Sequence, residues 1–198
     1  EKYQNIVARV AQIACLTSPD MEKYGVTVDK RQLARDWMRI SGSRVKEELL
    51  WLYLNNCSYV VKWITELGHG EMELHLLGCR YKGPDFTEYG GTHCFDLREG
   101  STKYKNRHGM MLVAEVLEEH CLEGKDNKIF CNTEAKYLEK NADGRVVSCI
   151  ALCEDGKYRR FCGSKAVILA TGDIGSNREM MRTFCPLALI PKHNGYVP

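Results

Sequence analysis

The chain has 198 residues, 44% of them hydrophobic and 27% charged, with a formal net charge of +2. That length allows one large domain or two small ones, and a core that buries about 70% of the unfolded surface. Collagen-like, Pro/Gly-rich disordered and coiled-coil compositions are excluded. The 28 basic and 26 acidic residues are spread along the chain, so no polybasic arm points to nucleic acid. No apolar run approaches the roughly 20 residues of a membrane span.

The first third reads as helix. Ile6, Val10, Ile13 and Ala14 recur at helical spacing up to the breaker Ser18-Pro19-Asp20. A second helix starts at Asp29 as N-cap, carries Leu33, Trp37 and Ile40 on one face, and stops at Ser41-Gly42-Ser43. A third runs from about Arg44 through Leu49, Leu50, Tyr53 and Leu54. It continues or kinks at Asn55-Asn56 into Val60, Val61, Ile64 and Leu67, with Gly68 as its stop. Trp37, Trp51, Tyr53, Tyr59 and Trp63 fall at helical spacing and read as core packing.

Glycines at 70, 78, 83, 90, 91 and 100 divide residues 69–106 into short pieces. One strand is expected over 71–77 and loop elsewhere, and a loop that long inside a compact domain is often functional. Residues 107–123 return to helix, with Met111, Val113, Ala114, Val116 and Leu117 as the apolar stripe. From Lys128 the period changes to that of strands. An extended region over 128–140, a turn at Asn141-Ala142-Asp143-Gly144, a strand over 145–153, a turn at Asp155-Gly156 and a strand over 157–162 make an antiparallel meander. The continuous apolar run 166–170, bounded by Thr171-Gly172, fits a fully buried parallel strand. Ser176 or Asn177 caps a following helix.

The ten cysteines contain no C-x-x-C pair and fit no zinc framework, so most read as small buried hydrophobes. The six histidines make no H-E-x-x-H or other metal spacing. His93 and His108, beside glycine-rich turns, are the two placed to meet a substrate. No G-x-S-x-G elbow supports a serine triad. A metal site is therefore not expected.

A buried strand ending in Ala170-Thr171-Gly172 lets the main chain pass close to another group, and open α/β sheets bind ligands at such strand ends. The order of elements resembles the second half of an FAD-binding domain of the fumarate reductase / succinate dehydrogenase flavoprotein family, which includes related 3-ketosteroid dehydrogenases and urocanate reductases. Four stretches carry the resemblance. These are Gly109-Met110-Met111 through Leu117, Asn132 to Leu138 with Asp143-Gly144-Arg145-Val146, the strand end within 166–177, and the segment from Val61 to Gly68 with its Trp63-Ile64 and closing glycine.

The resemblance implies an α/β fold, α+β within these residues. N-terminal helices would be followed by a three-stranded antiparallel meander and a buried parallel-type strand of a glutathione-reductase-like FAD-binding domain. It divides the chain into a helical segment 1–68, a glycine-rich region 69–106 and a helix, meander and strand segment 107–198. It implies FAD as cofactor, contacted by Ala170, Thr171 and Gly172 at the strand end and by Thr133 and Ala135 on the adenine side. The intact enzyme would pass hydride to or from a carbon–carbon double bond of a small-molecule substrate, with no nucleic-acid partner, no membrane span and homo-oligomerisation left open.

Two departures shape the expectation. Asp173 stands where the family commonly has a second glycine, so its carboxylate must turn to solvent or find a cation. The G-x-G-x-x-G fingerprint that seats a pyrophosphate on a helix N-terminus is not in the sequence; Gly68-His69-Gly70 lacks the last glycine and a preceding strand. No catalytic residue is transferred, and the chain reads as the middle of a longer enzyme, inactive by itself. Two other classes stay open: a non-enzymatic module binding a protein through 69–106, and a thiol-based redox or metal protein.

Overall fold

The structure, a computed structural model, describes residues 12–78, 87–104 and 107–189. Ile6 and Val10, together with Cys79, Gly83 and Pro84, lie outside the described residues. Two compact units divide between Ile129 and Phe130.

The first unit begins with β1 (Ile13–Ala14) and α1 (Pro19–Lys23), followed by α2 (Lys30–Ile40) and α3 (Glu47–Leu67). Next come β2 (Met72–Gly78), β3 (Thr92–Leu97) and α4 (Gly109–Glu123). The Asp29 carboxylate accepts from the Arg31 and Gln32 amides and starts α2 as the sequence indicates. The long third helix is continuous through Asn55-Asn56. Its buried residues Leu50, Leu54, Cys57, Val61 and Ile64 alternate by four and three positions, which keeps one stripe facing inward over about four turns. Against that stripe pack Met72, Phe95, Leu112, Val113 and Val116, all at most 1% exposed.

The three strands form an antiparallel sheet in the order β1-β3-β2. Ile13 and Ala14 are therefore strand and not helix, because they pair with His93 and Thr92. Tertiary pairing overrides a short helical period. β3 was likewise expected as loop; its Thr92–Leu97 sequence carries too few alternating apolar residues to announce a strand, yet Phe95 fills the core.

Glycine matters at two places for lack of a side chain. At Gly68, a Cβ would lie 2.2 Å from Met72 Cγ, so the end of α3 and the start of β2 could not meet as they do. At Gly91, a Cβ would lie 2.3 Å from the Cys15 carbonyl oxygen, while Cys15 N–H donates to Gly91 O at 3.0 Å.

The second unit is the expected meander. β4 (Glu134–Lys140), β5 (Val146–Leu152) and β6 (Tyr158–Cys162) lie in that order, all antiparallel. Gly144 and Gly156 hold positive φ, 79° and 74°, in the two tight turns, where only glycine enters without strain. Residues 128–133 are not part of β4, contrary to the longer strand expected. Buried Ser148 donates to Glu139, whose carboxylate also binds Arg160 at 2.8 Å, so one face of the sheet is cross-linked strand to strand. α5 (Arg178–Phe184) follows, its N-cap Asn177 accepting from Met180 N at 3.0 Å, as one of the two proposed caps.

The run 166–170 is the main correction. It forms no strand, and Ile168 and Leu169 are 87% and 62% exposed. Among the described residues no strand lies alongside it, and an apolar run without a ladder has nothing to bury it.

Candidate functional site

The expected cofactor contacts all fall in the second unit. Ala170, Thr171 and Gly172 form an exposed, irregular stretch. Their backbone groups make no hydrogen bond to another described residue. Gly172 has φ +77° and open space where a Cβ would point, so glycine there answers a backbone requirement and not a crowded one. Asp173 does not face outward as a bare charge: its Oδ1 accepts the Gly175 amide at 2.8 Å, folding the carboxylate into its own turn.

Thr133 precedes β4 and its hydroxyl donates to the Cys131 carbonyl at 2.9 Å. Asn132, at φ 48°, directs the entry to the strand and donates its side-chain amide to Glu154 at 3.2 Å. Ala135 is exposed on β4, directly opposite buried Ala151 on β5, next to a bulge between Ala135 and Tyr137. The small Ala–Ala pair leaves the sheet surface low at that point. Thr133 and Ala135 are thus adjacent at one end of the meander.

The two histidines separate clearly. His108 is exposed at the start of α4, with no side-chain cap bond, and the helix itself opens on Gly109 at φ +55°. His93 is fully buried. Its Nδ1 lies 2.8 Å from the Gly91 carbonyl and its Nε2 lies 2.7 Å from Ser18 Oγ. A carbonyl only accepts, so Nδ1 carries the proton and the Ser18 hydroxyl donates to Nε2. Ser18 Oγ also accepts from Met21 N at 3.1 Å, capping α1. Both ring nitrogens are occupied inside the fold, and burial lowers the ring's proton affinity.

Ser18 also lines a cavity of about 720 Å³ in the first unit, together with Thr17, Glu22, Ser58, Lys62 and Arg98. Ser58 Oγ accepts from both Leu16 N and Thr17 N, tying this loop to α3. Sequence reasoning missed this cavity, since Ser18 reads there only as a breaker.

Cys15, Cys57 and Cys153 are buried thiols and Cys131, Cys162 and Cys185 exposed ones, and no group of three metal-ligating side chains occurs among the described residues. Burial and neighbouring Cys57 push the Cys15 thiol up to about 11. No helix among the described residues is long and apolar enough to cross a membrane. Within 69–106, β2 and β3 form strands, β3 where loop is expected at 92–97.

The exposed small-residue stretch 170–172 follows the three-stranded meander in the chain. The sequence profile described as "FAD binding domain" matches residues 2–193, and the chain belongs to that family. Membership makes FAD the cofactor. Among solved structures, the chain is similar to an open conformation of a flavocytochrome c3 fumarate reductase, at 19% identity and TM-score 0.63, covering 90% of this chain and 29% of that one. It is also similar to 3-ketosteroid-Δ4-(5α)-dehydrogenase from Rhodococcus jostii RHA1 in complex with 4-androstene-3,17-dione. There the identity is 18% and the TM-score 0.65, covering 89% of this chain and 40% of that one. At these identities the likeness is one of fold, and the chain spans well under half the length of either structure. No curated protein matches the sequence.

The residues present fit one side of an FAD site. The 170–172 stretch offers small side chains and uncommitted backbone groups. The pyrophosphate is another matter, because Gly68-His69-Gly70 sits at the C-terminal end of α3, where the helix dipole repels an anion.

Proposed function

We propose that the chain is part of the FAD-binding domain of an oxidoreductase that transfers hydride to or from a carbon–carbon double bond of a small-molecule substrate. The exposed backbone at Ala170, Thr171 and Gly172, which makes no hydrogen bond to another described residue, carries this reading. FAD supplies the redox chemistry when bound, and the polypeptide binds and orients it. Ala170, Thr171 and Gly172 would lie against the cofactor through main-chain atoms, with Thr133 and Ala135 bounding its adenine side. Asp173 is kept off an anionic neighbour by its bond to Gly175 N. The double-bond chemistry rests on the likeness to a fumarate reductase and a ketosteroid dehydrogenase.

These 198 residues alone neither hold FAD tightly nor turn over substrate, since their sequence has no glycine-rich pyrophosphate loop. Titrating the chain with FAD tests this directly. Weak binding that Thr171→Arg weakens further supports the reading, whereas a stoichiometric yellow complex surviving gel filtration overturns the inactive-fragment part of it. Binding unaffected by substitution at 170–172 overturns the site.

A further inference from the structure

The loop between β1 and α1 packs against the fully buried imidazole of His93 on β3. The His93 imidazole joins three pieces of the first unit: the start of β3 through its own backbone, the Gly91 turn through Nδ1, and α1 through the Ser18 hydroxyl on Nε2. Cys15 completes the surround, with Sγ 3.5 Å from Nδ1 and its own thiol turned to the Thr17 carbonyl at 3.4 Å. The charged group acting on the ring is Asp20 of α1. Its Oδ2 accepts Leu76 N from β2 at 3.1 Å, and its charge favours a protonated ring, but burial, the larger influence, disfavours one.

We propose that His93 is an acid-sensitive latch: protonation of its ring releases α1 from β3 and opens the wall of the cavity that Ser18, Pro19 and Glu22 form. The geometry gives the reason. A proton on Nε2 reverses the bond to Ser18, whose hydroxyl hydrogen then needs another acceptor at a residue only 7% exposed. The ring is fully buried and its two nitrogens face a carbonyl and a hydroxyl, so a positive charge there is costly. Helix α1 is short and adds little to the core. It has five residues, and buried Met21 is its only core side chain. The stripe of α3 does not depend on the ring.

The readout is amide hydrogen exchange across the 198-residue chain, corrected for the intrinsic pH dependence of exchange. Opening frees a ring whose ordinary pKa is near 6.5. Lowering the pH from about 7.5 to about 5.5 should therefore raise the opening constant of the Met21, Glu22, Tyr24 and Val26 amides roughly tenfold. The amides of α3 should not change. His93→Gln keeps a neutral group and should abolish the pH dependence. Should that variant not fold, the wild-type imidazole followed by NMR serves instead, and it should remain neutral below its ordinary range while α1 stays closed. Corrected α1 exchange that is flat over this range, or α3 amides that open in step with α1, overturns the latch.

Discussion

The Tyr89 hydroxyl donates to Asp36 Oδ2 at 2.7 Å, which fastens the segment leading into β3 onto the middle of α2. Asp36 also accepts from Gln32 at 3.2 Å and lies 3.7 Å from Arg39. The Tyr89 bond, ahead of those neighbours, holds the Asp36 carboxyl below its usual range. Desolvation first, and then the bond to Asp36, push the Tyr89 phenol up to about 12. A lowered carboxylate pKa adds stability above its ordinary value, lost as the pH falls through the folded value. A raised phenol pKa adds stability at lower pH, lost as the pH rises through about 12. Tyr89→Phe should therefore lower the urea midpoint at neutral pH, and by less at about pH 3 where Asp36 begins to protonate. Equal loss at both pH values would remove the carboxylate from the explanation.

The inward stripe of α3 makes a second prediction. Leu54 is 1% exposed and Leu52 is 62% exposed on the same helix. Leu54→Ala should cost about 2–5 kcal/mol in denaturant unfolding, while Leu52→Ala should stay within about 0.5 kcal/mol. Comparable losses at the two sites would mean that the outer face of the helix is covered in solution.

Gly91→Ala should destabilise the first unit by about 1–3 kcal/mol. The new methyl meets backbone, the Cys15 carbonyl, and backbone has no rotamer into which it can retreat. Gly68→Ala should cost less, because its obstacle is the flexible Met72 side chain. Unfolding curves of the two variants, recorded side by side, check the order.

Thiol labelling should follow burial and ionisation. Cys131, Cys162 and Cys185 are exposed, whereas Cys15, Cys57 and Cys153 are buried. An aromatic disulfide reagent at about pH 8 should modify the exposed three at once. Cys15, whose pKa is pushed up to about 11, should react only on unfolding. Fast reaction at Cys15 in the native chain would contradict the packing around His93.

Helices and hairpins were legible from sequence because their signals are local. Asp29 and Asn177 announce their helices by side-chain caps, and Gly144 and Gly156 announce their turns by a backbone requirement. Ile13, Ala14 and β3 were not legible. Ile13 and Ala14 pair across 80 and 78 residues, and β3 pairs with β2 across 14 to 25, which no short window contains. The 166–170 run misled for the converse reason: its composition states what it would do beside a parallel strand, and its surroundings among the described residues hold none. The small residues at 170–172 were legible, but the retreat of Asp173 onto Gly175 N was not. His93 was visible as a histidine near glycines, while its burial depended on where Ser18 would fall.

The bare 166–170 segment has a practical consequence. Five consecutive apolar residues, two of them largely in water and none engaged in a ladder, are the raw material of intermolecular strand pairing. The chain should thus grow stickier with concentration, and a lysine in place of Ile168 should keep it dispersed at light-scattering concentrations where the parent sequence clusters. The apolar run that ends at Ala170 is, in the absence of any cover, the one by which one copy can adhere to the next.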